Sequence, residues 1–69
     1  MSFLLLYDLE KSKSAARLKI NRELSKMNAT MFQHSVWRHE DIDKLKQIAD
    51  FIKQNGGKVI ILEEKIVYQ

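Results

Sequence analysis

Strand and helix signals alternate along this chain in an order that predicts an α+β domain, with two helices laid on one face of an antiparallel sheet. Three observations carry that expectation. Short apolar runs stand near both ends, Phe3-Leu4-Leu5-Leu6-Tyr7 and Val59-Ile60-Ile61-Leu62. Two stretches repeat apolar residues at helical spacing, and the segment between them, Ala29 to Arg38, is rich in aromatic and β-branched residues. At 69 residues and 8.2 kDa the chain makes one domain, residues 1–69. Apolar residues form 45% and charged residues 30%, too apolar and too mixed in charge for intrinsic disorder.

The first apolar run stops at Asp8, and a run so short suits a strand buried on both faces better than a helix. A helix is expected from about 12 to 27, capped by Ser12 or Ser14, with Ala16, Ile20, Leu24 and Met27 on its apolar stripe. Asn28 is a suitable left-handed terminator. The stretch from Ala29 to Arg38 does not alternate cleanly, so two short strands joined by a bend at Gln33-His34-Ser35 fit it better than one regular strand. His39-Glu40-Asp41 opens the second helix, with acids in its first turn, Ile42, Leu45, Ile48, Ala49 and Ile52 at helical spacing, and Gly56 just past its end. Val59 to Leu62 reads as another buried strand. Glu63-Glu64-Lys65 separates it from Ile66-Val67-Tyr68, which alternates too little to classify.

This order, β-α-β-β-α-β when the terminal segment is set aside, is the split βαβ plan of the ferredoxin-like fold. In the first strand Leu4 and Leu6 point to one face, and Phe3, Leu5 and Tyr7 to the other. A sheet apolar on both sides needs a second cover beyond its two helices, and a homodimer supplies one. Ile66-Val67-Tyr68 suits addition to a neighbour's sheet edge. The chain has no cysteine, so the usual staples of a small fold are missing, which also favours self-association.

The net charge of +3 is unevenly spread. Residues 1–38 carry seven bases against three acids, while residues 39–69 carry five against six. The surplus surrounds the first helix, where Lys11, Lys13, Arg17, Lys19, Arg22 and Lys26 offer a surface for a polyanion such as the backbone of DNA or RNA, or simply a solvated helix face. Lys19, Arg22 and Lys26 fall near one flank. The longest apolar run is far below the roughly 20 residues needed to span a bilayer, and no signal-peptide core follows a basic start, so no membrane association and a cytoplasmic location are expected.

Neither a Ser-His-Asp set, an H-E-x-x-H motif nor a phosphate-cradling glycine loop is present, and Gly56-Gly57 follows a helix, as a cap and turn do. Asp8 stands at the end of a strand, where crevices form and hard cations find carboxylates. It is either a turn cap leading to Ser12 or a ligand for Mg²⁺ or Mn²⁺, and a twofold axis near the strand end would bring in the Asp8 of a second chain. His39 is expected to assist the second helix start, and His34 to lie at the bend or on the exposed face. Trp37 is expected in the core or a dimer interface, Gln33 and Ser35 to satisfy backbone at the bend, and Met27 and Met31 to fill space.

The run Phe3-Leu4-Leu5-Leu6-Tyr7-Asp8-Leu9, a basic helix, and then Phe32-Gln33-His34-Ser35-Val36-Trp37 together resemble the small CRISPR-associated adaptation protein, the Cas-two family. Its members open with an apolar strand ending in Tyr-Asp and continue to a Gln-x-Ser-Val-aromatic segment. The match covers residues 3 to 37 by motif and the remainder by element order. The resemblance implies a ferredoxin-like homodimer that bridges the CRISPR integrase and holds duplex DNA during spacer acquisition in antiviral defence, with metal-dependent endonuclease activity in some members. It places the metal-binding, catalytic aspartate at Asp8 and the second motif at Gln33, Ser35, Val36 and Trp37, while Arg17 and Arg22 match as basic residues of the first helix. The expected function is therefore a dimeric nucleic-acid-binding protein. The alternative from another class is a non-catalytic interaction module whose dimer and terminal strand recruit a protein partner.

Overall fold

The computed structural model describes all residues, Met1–Gln69. Its elements are β1 (Phe3–Asp8), α1 (Ser14–Lys26), β2 (Thr30–Gln33), β3 (Val36–His39), α2 (Ile42–Gln54) and β4 (Lys58–Glu63). The sheet order is β2-β3-β1-β4, and every neighbouring pair is antiparallel. Each helix thus joins two strands separated by a third, which is the ferredoxin-like split βαβ arrangement expected from the element order.

β1 is paired on both sides, with Leu5 opposite Trp37 on β3 and Ile61 on β4. Alternation along the strands decides which residues meet the helices. Leu5, Tyr7, Leu9 and Trp37 join Ile20 and Leu24 of α1 and Leu45, Ala49 and Ile52 of α2 in one core. Leu5, Ile20, Leu24, Leu45 and Ile52 are wholly buried, each gaining on the order of 1.5–3 kcal/mol over exposure. Trp37 is buried as expected, but its indole N–H finds no acceptor.

The starts and ends of the helices differ in how closely they follow the sequence. The chain reaches α1 through a single 3-10 turn, Lys11–Lys13, and no side chain caps the helix. The expected Ser12 or Ser14 cap is not made, because the Ser12 hydroxyl donates to Glu10 Oε2 at 3.1 Å instead. At the other end Asn28 takes φ 62° as the terminator, and the Ala29 N–H bonds back to the Leu24 carbonyl at 3.0 Å. Asp41 caps α2 by accepting from the backbone of Asp43 (3.0 Å) and Lys44 (3.2 Å). His39 assists that start as expected: its Nδ1 accepts from the Asp41 N–H at 2.9 Å. Its Nε2 lies 2.7 Å from the Met27 carbonyl. An Nε2–H tautomer satisfies both contacts, so one imidazole ties the end of α1 to the start of α2.

Val59–Leu62 forms a strand, but at the sheet edge rather than buried on both faces, and Ile60 and Leu62 are about half exposed. β2 is the opposite edge, where a register shift between Met31 and Gln33 supplies the expected irregularity. Met31 is half exposed there and is not core filler, whereas Met27 packs against the core. Gly56 adopts φ +79° at the end of α2. A Cβ on Gly57 would meet Ile52 Cγ2 at 2.7 Å and the Asp8 carbonyl oxygen at 2.9 Å, so this glycine lets the turn pass close against the end of β1. Gly57→Ala is expected to lower the free energy of unfolding by about 1–3 kcal/mol through overpacking, and Gly56→Ala by about 1–2 kcal/mol through the left-handed backbone. Urea titration of the two variants measures both losses.

Candidate nucleic-acid interface and open sheet face

The sheet face turned away from the helices is built by the even-numbered residues of β1 and their partners, in rows across the strands. Val36, Leu6 and Ile60 form one row, and Arg38, Leu4 and Leu62 the next. The apolar members are half-buried or exposed in the single chain, with Ile60 at 56% and Leu62 at 48%. The expectation of a sheet apolar on both faces is therefore met. One end of the face carries Asp8 with Lys58 as its register partner. At the other end Arg38 Nε lies 2.7 Å from Glu64 Oε1, and Arg38 also reaches the Ser2 hydroxyl at 3.3 Å. The Glu64 N–H bonds the Ser2 carbonyl at 2.8 Å, which fixes where the final segment leaves the sheet. Beyond it Ile66, Val67 and Tyr68 are exposed and belong to no strand of this chain.

Asp8 is exposed, and its carboxylate neither accepts a hydrogen bond nor caps the turn to Ser12. The Tyr7 N–H donates to the Ser35 carbonyl at 3.1 Å, one step beyond the β1–β3 ladder, so the Gln33-His34-Ser35 bend and Asp8 share one end of the sheet. The bend is satisfied through this backbone bond and not through the Gln33 and Ser35 side chains, which correct the role expected for them. Val36 belongs to the open face and Trp37 to the core, so the second motif divides between the two sides of the sheet. His34 lies exposed at the turn, whereas His39 is committed to its two backbone partners. No three His, Asp or Glu side chains come together as a metal-holding group. One chain brings to a hard cation only the Asp8 carboxylate, with a lysine opposite, which falls short of the several oxygens such an ion takes.

The basic residues of α1 separate into different surroundings. Arg17 turns inward: its guanidinium donates to the Leu9 carbonyl and lies 5.7 Å from the centre of the Tyr7 ring. Lys19 reaches across to α2, its Nζ 4.7 Å from the Phe51 ring centre. Lys26 stands 3.8 Å from Glu23 in an exposed pair, a contact of little energetic weight. Lys13 and Arg22 are exposed and form no ion pair. Sequence reading placed all five on the candidate interface without seeing that Arg17 holds the β1–α1 connection. It also passed over Lys44 of α2, which lines the seam between the helices with Lys26. Only the helix order could have signalled that neighbour, because Lys44 belongs to the half of the chain with a slight acidic excess.

A wider concavity, lined by Asn28, Thr30, Arg38, His39, Glu40, Asp41 and Ile42, lies beside the His39 clasp. Its His39 and Asp41 side chains already serve the backbone, and Arg38 serves Glu64. No family model matches the chain, and no curated protein matches it in sequence. No helix is long and apolar enough to cross a membrane.

Tyr7 joins the two sides of this connection. Its hydroxyl donates to Asn21 Oδ1 at 3.0 Å, and burial holds the phenol above the ordinary value near 10, partly opposed by the Arg17 charge. The neutral phenol is the folded form, so its contribution is complete below pH about 10, where both states keep the proton, and is lost as pH rises through the higher folded value. The thermal midpoint is expected to fall as pH is raised above 10, and Tyr7→Phe to flatten that dependence. Tyr7→Phe also costs about 0.5–1.5 kcal/mol at neutral pH for the lost hydrogen bond. Calorimetry of wild type and variant from pH 7 to 11.5 checks both effects.

Proposed function

We propose that this chain is a dimeric nucleic-acid-binding protein of the Cas-two type, in which two copies stack through their open sheet faces and present their basic helices to a DNA or RNA backbone. The observation that carries the reading is the pair of apolar rows centred on Leu6 and Leu4, uncovered in the single chain. Covering them would gain on the order of 1.5–3 kcal/mol for each large aliphatic side chain brought from water into contact. The exposed Ile66-Val67-Tyr68 segment supports the same reading, since it is suited to add a strand to an edge of the second copy. Lys13 and Arg22 supply cations with no ion-pair partner in the chain. The resemblance adds duplex DNA held during spacer acquisition, the CRISPR integrase as protein partner, and a cytoplasmic setting.

Asp8 lies on the same face as the apolar rows, so a twofold axis near that end would pair two Asp8 carboxylates across the interface. Mg²⁺ or Mn²⁺ held there would polarise a phosphoryl oxygen, the chemistry of metal-dependent endonucleases. Asp8→Asn keeps size and hydrogen bonding while removing charge. It is expected to leave dimerisation and binding nearly intact and to abolish any EDTA-sensitive cleavage, in assays run in parallel with wild type. Cleavage that survives in Asp8→Asn would place the activity elsewhere.

Light scattering after gel filtration is expected to report about twice 8.2 kDa for wild type and a monomer for Leu6→Asp, which sets a charge in the middle of the apolar rows. Affinity for a random duplex is expected to fall linearly on a log–log plot against salt, and Arg22→Ala to reduce the slope. A wild-type monomer, or binding indifferent to salt, would overturn the reading. A dimer that binds no nucleic acid would favour the interaction module.

A further inference from the structure

We infer that the phosphate-binding surface is the seam between the two helices, with Lys44 and Gln47 of α2 forming its second wall opposite Lys19, Arg22 and Lys26 of α1. This rests on the nucleic-acid-binding reading above and adds to it the half of the surface contributed by the second helix. The helices run antiparallel, since the His39 clasp joins the end of α1 to the start of α2 while Lys19 meets Phe51 near the other end of α2. That arrangement sets Lys44 beside Lys26, in a shallow groove floored by the half-buried Met27 and Ile48 and bordered by Gln47 and Glu23. Three lysines therefore face the seam against one acid, Glu23, with Arg22 on the adjoining flank of α1. The next acid of α2, Asp43, stands one turn before Gln47 on the same flank of the helix, exposed and outside the lining of the groove.

The shape favours a backbone over an enclosed small molecule. The groove holds about 270 Å³, at the lower limit of small-molecule pockets, and it is open along its length. From Lys19 to Lys26 the helix advances roughly 10 Å, which spans about three phosphates of one strand at an axial repeat of about 3.4 Å. Lys19 is already drawn over the seam by Phe51, so its charge is held in place before any ligand arrives. The Gln47 amide is a neutral donor between charged neighbours, suited to a phosphate or sugar oxygen.

The test uses fluorescence anisotropy with a random-sequence DNA duplex, over a salt series, on the full chain. Lys44→Gln is expected to lower the magnitude of the log affinity against log salt slope by about 0.9 per copy, the loss of one phosphate contact. Lys46→Gln is the control, because it removes the same charge from α2 on the opposite flank, facing β4. Both lysines are exposed, and equal thermal midpoints for the two variants establish that folding is untouched. Equal slopes for Lys44→Gln and Lys46→Gln, with wild type still binding in a salt-dependent way, would overturn this inference and leave the nucleic-acid reading standing. Absence of salt-dependent binding in wild type would overturn both. Displacement of the duplex by poly-L-glutamate at equal concentration of charge would overturn it in favour of an acidic protein partner.

Discussion

A six-residue central strand that is apolar on both faces sets the terms for everything else in this molecule. Leu5 and Tyr7 are covered by two helices, and that half of the problem is solved within the chain. Leu4 and Leu6 look the other way, with Val36, Ile60 and Leu62 beside them, and no element of the chain reaches that side. Small domains bury a modest share of their surface, and this one has neither disulfide nor proline to restrict its unfolded state. The uncovered face therefore keeps in water apolar area that the core does not bury. Its exposed apolar residues lie between Asp8 and Lys58 at one end and the Arg38–Glu64 pair at the other, where an exposed apolar segment leaves the sheet.

The polar connections at the ends of the elements are economical in a complementary way. His39 serves the Met27 carbonyl just past α1 and the Asp41 amide just before α2, and Asp41 takes two amides of that helix start. Arg17, Tyr7 and Asn21 join the end of β1 to the body of α1. Arg38, Glu64 and Ser2 join both chain ends to β3. Basic residues that look alike in sequence are consequently unequal: two are spent on the scaffold, and the helix-borne remainder faces solvent or the seam.

The fold was legible because period and punctuation agree: the apolar stripe of α2, Asn28 and Gly56 at helix ends, and the two terminal runs leave little choice of topology. The cap of α1 was not legible, since Ser12 finds a closer partner in Glu10 than in the helix backbone. Nor was the edge position of β4, because a run such as Val59 to Leu62 reads the same whether a strand is central or lateral. Of the candidate site, the placement of Asp8 at a strand end was readable from Tyr7-Asp8-Leu9. The inward turn of Arg17 was not, because it depends on a carbonyl, that of Leu9, which every residue possesses.

The pairing of β1 with β4 has a kinetic consequence. Phe3 stands opposite Glu63, so β1 closes its second ladder only across both helices and the β2–β3 hairpin. Closure over so long a loop carries an entropic cost that local hairpin contacts such as β2 with β3 do not meet. Until it happens, β1 has a bare edge bearing the same hydrogen-bonding pattern that β4 will later fill. A second copy offers that edge an identical β4, and short-lived exchange of the whole strand between copies is thus a natural hazard of this topology. The clasp of Glu64 onto Ser2, next to the Phe3–Glu63 pair, is placed where it closes that competition in favour of the strand's own sheet.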